Sequence, residues 1–199
     1  MDKLEYERRL KEDGCKYICG VDEVGRGPLA GPVVCAAVIM PLDDIIEGVD
    51  DSKKLSVKKR EALSKLITEK AVAVNICRVE PEKIDEINIL EATKLCMKNA
   101  VEGLKVNPDY VLTDGNMTLD IALPQQNIVK GDYLSDSIGA AALVAKVYRD
   151  ALMDGYAKEY PVYGFEKHKG YGTCAHINAI KQYGLCPVHR RSFTSKWQK

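Results

Sequence analysis

The sequence YICGVDEVGRGPLAGPVVCAAVIM, residues 17–40, consists of two apolar runs separated by a segment rich in glycine. The runs Tyr17–Val24 and Pro32–Met40 have the apolar and β-branched composition typical of strands. The intervening segment Gly25–Gly31 holds three glycines and a proline, so the chain must turn there. Two strand-like runs that flank a turn predict an antiparallel β-hairpin.

Apolar periodicity predicts the elements on either side of this hairpin. Ser56 is a typical N-cap, and Pro81 suits the first turn of a helix. Helices are expected at 2–13, 57–70, 81 to about 104, 136–158 and 175–183, and further strands at 72–79, 110–113 and 127–130. This order predicts an α/β fold with a mixed central β-sheet flanked by helices and a small helical, basic C-terminal segment.

The composition is that of an ordinary globular protein, with 46% hydrophobic and 29% charged residues among 199. We expect one domain over residues 1–199. No run approaches the roughly 20 apolar residues that a membrane span needs, and the first residues, MDKLEYERRLKEDG, do not resemble a signal peptide. The seven cysteines include no close Cys-x-x-Cys pair. We therefore expect a cytoplasmic monomer with reduced thiols and no membrane partner.

The net charge of zero hides an uneven distribution of charge along the chain. Residues 165–199 contain seven Lys or Arg and a single acid, Glu166, whereas residues 1–164 contain 22 basic and 28 acidic residues. A protein with separate acidic and basic regions can hold cations and a polyanion together. A solvated basic tail without a binding role would have the same composition.

Four acidic residues lie where predicted strands end beside a glycine: Asp22, Glu23, Asp114 and Asp132. Ends of neighbouring strands converge in a sheet, and ligands collect there. Carboxylates brought together repel one another unless a divalent cation neutralises them, and Mg²⁺ prefers such oxygen ligands. Acids at these positions are also common as turn formers or helix caps, and that alternative stays open for each residue taken singly.

Adjacent residues on a strand point to opposite faces, so Asp22 and Glu23 should diverge. Both can serve one site if the strand twists or breaks there, or if Glu23 contributes its backbone carbonyl. The glycine at position 25 makes a local break plausible.

Two further segments have the composition of nucleic-acid contacts. Gly25, Arg26 and Gly27 can bring bare backbone amides and a guanidinium to a phosphate or a sugar hydroxyl, although the pattern is not the GxGxxG of dinucleotide sites. The segment 167–173, KHKGYGT, interleaves cations such as Lys169 with the ring of Tyr171. An ordinary hairpin loop and a flexible surface loop remain the alternatives.

The histidines and the C-terminal cations complete the set of candidate residues. His189, Arg190 and Arg191 are expected to extend the basic surface. The three histidines, at positions 168, 176 and 189, lack the HExxH spacing of a zinc site, which disfavours zinc.

Five ordered motifs make the chain resemble the ribonuclease HII family from about Tyr17 to Phe193. They are GVDEVGRGPLAGPV at 20–33, DSKKL at 51–55, VKGD at 129–132 followed by IGAA at 138–141 and AKVYRD at 145–150, HKGYGT at 168–173, and PVHR at 187–190. The related ribonuclease HIII usually carries an extra N-terminal domain. Only about twenty residues precede Asp22 here, so we expect the HII type.

The resemblance implies a ribonuclease H-like fold and a role for each matching residue. It implies that Asp22, Glu23, Asp114 and Asp132 are catalytic and bind two Mg²⁺ or Mn²⁺ ions. It also implies substrate contacts from Gly25, Arg26 and Gly27 to the ribose 2′-OH, from Tyr171 to the neighbouring sugar, and from Ser52, Lys53, Lys169, His189 and Arg190 to the duplex. Ala142 stands where many members have serine, which we interpret as a packing change on a helix.

The implied activity is metal-dependent endonucleolytic cleavage of the RNA strand of RNA/DNA hybrids and 5′ of single ribonucleotides in duplex DNA. The products would carry a 3′-hydroxyl and a 5′-phosphate, and the role would be ribonucleotide removal and primer processing. Two other classes stay open: a nuclease of the same fold that cuts pure DNA, and a binding module that has lost catalysis. The presence of all four acids disfavours the binding module.

Overall fold

The computed structural model describes residues 3–42, 46 and 55–197. The helices are α1 (Glu5–Glu12), α2 (Val57–Lys70), α3 (Pro81–Glu102), α4 (Gly131–Leu134), α5 (Asp136–Glu159), α6 (Phe165–His168), α7 (Cys174–Tyr183) and α8 (Arg191–Thr194). The strands are β1 (Ile18–Val24), β2 (Val33–Ile39), β3 (Ala73–Val79), β4 (Tyr110–Asp114) and β5 (Gln125–Ile128). Over these described ranges, none of the helices combines the length and apolar character needed to cross a membrane.

The five strands form one mixed sheet in the order β3-β2-β1-β4-β5. β1 and β2 pair antiparallel from Cys19↔Ile39 to Val24↔Val34, which confirms the predicted hairpin. β3 continues the antiparallel part beyond β2, while β4 runs parallel to β1 and β5 parallel to β4. β1 therefore lies at the centre of the sheet, and its C-terminal end lies beside the C-terminal end of β4.

Helices cover both faces of the sheet. α3 packs against the face that carries Cys19 and Val21, whereas α5 and α2 pack against the face that carries Val34, Ala36 and Val38. α5 approaches β1 so closely that a Cβ added to Gly20 would lie 2.1 Å from the backbone carbonyl carbon of Ser137. Only glycine fits there, and this contact places the first turns of α5 beside the end of β1.

The long helix predicted from Pro81 is interrupted. Asn88 has φ 66° and ψ 166°, and its side-chain oxygen accepts hydrogen bonds from the backbone N–H groups of Leu90 (2.9 Å) and Glu91 (3.2 Å). Asn88 thus caps a second helical segment inside α3, as asparagine commonly does. The apolar periodicity continues across the break and so does not reveal it.

The C-terminal segment packs on the loop between β1 and β2. Leu29 and Ala30 of that loop share a small apolar cluster with Phe165, Ile180 and Val188. Backbone hydrogen bonds also join the loop to the segments near residues 170 and 188–190. Segments about 140 to 160 residues later in the sequence therefore hold the loop that follows Asp22 and Glu23.

Candidate metal and nucleic-acid site

Three of the predicted acids meet at the carboxyl ends of β1 and β4. Asp22 and Glu23 lie at the end of β1, and Asp114 is the last residue of β4. One carboxylate oxygen from each lies within 4.8 Å of the other two. The parallel pairing of β1 with β4 brings them together, since both strands end at the same edge of the sheet.

Asp22 and Glu23 point to opposite faces of the sheet, and both still reach the cluster because of where the neighbouring strands end. Asp22 lies on the α5 face, two residues after Gly20, and Glu23 shares the α3 face with its cross-strand partner Cys35. β4 runs beside β1 and ends at Asp114, so β4 has no residue opposite Glu23. The Glu23 carboxylate therefore reaches the same edge of the sheet as the Asp22 carboxylate. Glu23 joins the cluster through its side chain, so the alternative of a backbone carbonyl is not needed.

Asp132 reaches the same pocket from α4. Lys130, in the left-handed conformation with φ 61°, turns the chain into this short helix, and the Gly131 N–H donates to Asp114 Oδ1 at 2.6 Å. Asp132 lines a pocket of about 600 Å³ together with the three clustered acids. Its carboxylate is not within the 4.8 Å group. The structure thus places four acids around one pocket, three of them in mutual proximity.

The electrostatics of the pocket are those of carboxylates that need a counter-charge. Burial raises the pKa of Asp22 well above its ordinary value, and the neighbouring charges of Glu23 and Asp114 raise it further. Burial also raises the pKa values of Glu23 and Asp114. The buried Oε2 of Glu23 has no hydrogen-bond partner among the described residues. Hard oxygen donors with an unpaired buried oxygen fit Mg²⁺ or Mn²⁺ well.

The turn after β1 lies next to Tyr171 at the rim of the pocket. Arg26 Nη1 donates to Glu23 Oε1 at 3.3 Å, so this guanidinium faces the acids. A Cβ added to Gly27 would lie 3.7 Å from Tyr171 Cε1, and the Tyr171 side chain is 46% exposed. Arg26 and Gly27 of the predicted turn are exposed and lie with Tyr171 on one accessible surface beside the acids, whereas Gly25 is buried.

The prediction that His189 and Arg190 extend the basic surface is wrong. His189 and Arg190 are buried, with exposures of 3% and 0%. The Arg190 guanidinium donates to backbone carbonyls, and His189 is hydrogen bonded to His176 and Cys186. Both side chains are therefore enclosed by the protein and hydrogen bonded within it.

The remaining predicted contacts have different outcomes. Lys169 is half-buried and its ammonium forms an ion pair with Asp154, so its contact with phosphate stays a prediction. Ser52 and Lys53 lie outside the described residues. Ala142 lines the acidic pocket. Ala142 is half-buried at the edge of this pocket, and its interpretation as a packing change stays a prediction.

Sequence reasoning missed two cations that line the acidic pocket, Arg60 of α2 and Lys146 of α5. Arg60 Nη1 donates to Leu55 O at 2.9 Å, and Lys146 Nζ forms an ion pair with Asp150 at 2.7 Å. Lys146 belongs to the AKVYRD motif, one helical turn after Ala142, which was a usable signal. Nothing in the sequence pattern distinguished Arg60 from the other basic residues of α2.

Comparison with known proteins agrees with the family resemblance and the fold described above. A family model described as Ribonuclease HII matches residues 19–196. The chain is 54% identical over 192 residues to Ribonuclease HII of Acetivibrio thermocellus, covering 96% of this chain and 75% of that protein. It is similar to the crystal structure of ribonuclease H2 from Pyrococcus horikoshii OT3, with a TM-score of 0.75 and 28% identity over 88% of this chain and 93% of the other. The predicted ribonuclease H-like fold is confirmed.

A more distant structure shares the fold alone. Bst-RNase HIII in complex with Mn²⁺ has a TM-score of 0.67 at 18% identity, and the match covers 89% of this chain and 67% of that one. That protein binds Mn²⁺ in its crystal structure.

Proposed function

This chain belongs to the ribonuclease HII family of endonucleases, and we propose that it cleaves the RNA strand of RNA/DNA hybrids and the phosphodiester 5′ of a single ribonucleotide in duplex DNA. The products carry a 3′-hydroxyl and a 5′-phosphate. The observation that supports this most directly is the cluster of three carboxylates within 4.8 Å, with Asp132 in the same pocket. The biological role we propose is removal of misincorporated ribonucleotides and primer remnants in the cytoplasm.

The four acids are proposed to hold two Mg²⁺ or Mn²⁺ ions. When bound, such ions supply a hydroxide at neutral pH and stabilise the charge that develops on the leaving oxygen. The protein contributes the fixed positions of the carboxylates. Asp22 accepts from the Glu23 N–H at 2.7 Å, and Asp114 accepts from the Gly131 N–H at 2.6 Å. These bonds orient the oxygens before any ion arrives.

Discrimination between RNA and DNA is assigned to the surface formed by Gly25–Gly27 and Tyr171. The ribose 2′-OH is both a donor and an acceptor, and it is the group that separates the two sugars. Backbone groups of the turn can approach it because the glycines have no side chain. The ring of Tyr171 can pack on the adjacent deoxyribose, which favours a junction over uniform RNA.

The duplex backbone meets cations on the C-terminal segment. Lys167, Lys181, Arg191 and Lys196 are exposed there, and Arg60 and Lys146 line the pocket itself. Contacts of this kind supply affinity without reading sequence, and they weaken as salt rises.

The decisive experiment is incubation of the protein with duplex DNA that carries one embedded ribonucleotide. We expect a cut 5′ of the ribonucleotide with Mg²⁺ or Mn²⁺ and none with EDTA. The matched all-DNA duplex should stay intact, and Asp22→Asn should abolish the cut while remaining folded. Failure to cut with either metal, or equal cutting of the all-DNA duplex, would refute the proposal and favour a DNA nuclease of this fold or a binding module.

A further inference from the structure

The buried residues His189 and Arg190 are consecutive, and each is linked to a different part of the proposed ribose-recognition surface, Gly25–Gly27 plus Tyr171. We propose that they are positioning residues: Arg190 holds the Gly25–Gly27 turn, and His189 holds Tyr171 through His176. This inference rests on the function proposed for that surface. It replaces the direct substrate contact that the sequence predicts for both residues.

Arg190 braces the turn through three hydrogen bonds to backbone carbonyls. Its Nη2 donates to Gly25 O at 2.5 Å, its Nη1 to Arg26 O at 2.8 Å, and its Nε to Gly31 O at 2.9 Å. The guanidinium therefore spans both ends of the loop between β1 and β2. A planar fork with five donors can satisfy three carbonyls at once, whereas the ammonium of lysine cannot match that geometry.

Arg149 supports the same loop from α5. It donates to Pro32 O at 3.0 Å, to Ala30 O at 3.1 Å and to Lys169 O at 3.1 Å. Burying two guanidiniums side by side is costly, and it lowers the pKa of Arg190 to about 9, first through burial and then through the charge of Arg149. The two guanidiniums together donate to six backbone carbonyls. Five of these carbonyls belong to the loop that carries the proposed ribose contact, and the sixth is that of Lys169.

A hydrogen-bond relay connects His189 to Tyr171. The Cys186 N–H donates to His189 Nδ1 at 3.0 Å, so the proton of a neutral His189 is on Nε2. That Nε2–H donates to His176 Nε2 at 3.0 Å, which leaves the His176 proton on Nδ1. The Nδ1–H of His176 then donates to Tyr171 O at 2.9 Å. The relay ends on the backbone of the residue whose ring forms the rim of the pocket.

The surroundings keep this relay neutral. Burial lowers the pKa of His176, and burial together with the neighbouring His176 lowers that of His189 to about 4. His168 stacks on His176 with ring centroids 4.5 Å apart, which fixes the plane of the ring. Both imidazoles therefore keep one proton each at neutral pH, and the direction of every bond in the relay is fixed.

Because His189 and Arg190 are consecutive, the segment that carries them connects the Gly25–Gly27 turn with Tyr171. His189 forms an isolated antiparallel bridge with Ala30, and the Arg190 N–H donates to Leu29 O at 2.9 Å. Leu29 N–H in turn donates to Gly170 O at 2.8 Å, next to Tyr171. One short extended segment thus sets the distance between the turn and the ring. Displacing either half should impair sugar recognition while leaving the acids in place.

The test uses two matched substitutions at His176 in the full chain. The amide nitrogen of asparagine lies near the position of Nδ1, so His176→Asn keeps the donor to Tyr171 O. The amide of glutamine lies near Nε2, so His176→Gln keeps the contact with His189 and loses the hydrogen bond to Tyr171 O. The measured quantity is kcat/KM on a duplex with one embedded ribonucleotide divided by kcat/KM on a uniform RNA/DNA hybrid.

We expect His176→Gln to lower this ratio by about fivefold or more, roughly the effect of one hydrogen bond, and His176→Asn to keep it within about twofold of wild type. Mn²⁺ affinity measured by calorimetry should be unchanged in both variants. An unchanged ratio in His176→Gln, or equal loss in the two variants, would overturn the role of the relay.

Arg190→Lys tests the other half, with Arg78→Lys at the far edge of the sheet as control. We expect Arg190→Lys to lower kcat/KM about tenfold on both substrates at unchanged Mn²⁺ affinity, and Arg78→Lys to behave as wild type. Wild-type turnover by Arg190→Lys would overturn its role, and so would failure of this variant to fold, which would make Arg190 a requirement of the whole fold and not of the turn alone. A wild-type protein that cuts neither substrate would instead contradict the proposed function itself.

Discussion

Replacing Asp22 by asparagine should abolish cleavage and yet stabilise the metal-free protein. Asp22 is 8% exposed and lies within 4.8 Å of two further carboxylates. Asparagine keeps the oxygen that accepts from the Glu23 N–H, so the local geometry survives. It removes one buried negative charge from a cluster that we propose to hold cations.

The magnitude follows from Coulomb's law. Two unit charges 4.8 Å apart repel by about 3.5 kcal/mol at an effective dielectric constant of about 20. Burial and the neighbouring carboxylates already raise the pKa of Asp22 in the folded protein, so the gain should be smaller than this full repulsion. We therefore expect a gain of about 1–3 kcal/mol in the free energy of unfolding, or roughly 2–10 °C in Tm for a chain of this size.

Thermal unfolding in EDTA measures the effect, with Asp120→Asn as the control. Asp120 has a 99% exposed side chain, so its removal should leave Tm almost unchanged. In wild-type protein, Mg²⁺ or Mn²⁺ should raise Tm, and Asp22→Asn should reduce that gain. The reasoning is refuted if Asp22→Asn unfolds at or below the wild-type temperature in EDTA, or gains as much from the metal as wild type does.

Three other predictions concern the fold and the duplex. Gly25→Ala should lower Tm and reduce kcat/KM at least tenfold, because φ is +92° and the new Cβ would lie 2.2 Å from Arg149 Nε; a wild-type Tm would contradict this. Burial and the charge of Glu7 raise the pKa of Asp136 from 3.8 to about 6, so the folded state binds this proton more tightly than the unfolded state does. The free energy of unfolding should therefore fall by up to about 3 kcal/mol as the pH rises from 4 to 6. Urea titrations should show that Asp136→Asn removes this slope, and an unchanged slope would argue against it. The logarithm of kcat/KM should fall linearly with the logarithm of salt concentration, and Lys196→Gln should reduce that slope by up to about 1; a slope independent of this lysine would exclude it from the phosphate contacts.

The location of the acids at the strand ends was readable from sequence because each follows a simple local rule. Asp22 and Asp114 lie at strand ends beside a glycine, whereas the prediction of a strand end is wrong for Asp132, which lies in α4 just after Gly131. Local composition is enough to place strand ends, and the carboxyl ends of parallel strands necessarily meet at one edge of a sheet. The adjacency of Asp22 and Glu23 was ambiguous, since only the length of the neighbouring strand determines whether both side chains reach that edge.

The prediction for Arg190 failed for a different reason. A run of basic residues near a C-terminus resembles a solvated surface, because sequence shows the charge and not what surrounds it. The carbonyl that accepts from its Nη2 belongs to Gly25, 165 positions earlier in the chain. The relay from His189 to Tyr171 was hidden in the same way, since three histidines without metal-ligand spacing carry no sign of their hydrogen bonds.

Local patterns were thus sufficient for the hairpin, the covering helices and the acids at the strand ends, because hydrophobic period and glycine placement are properties of neighbouring residues. Whether a charged or polar side chain faces solvent or the interior depends on groups that distant segments bring to it, and a buried guanidinium is tolerated only where several carbonyls converge. For that reason the burial of Arg190, on a segment as basic as the one that carries the exposed Tyr171, became apparent only once the chain was folded.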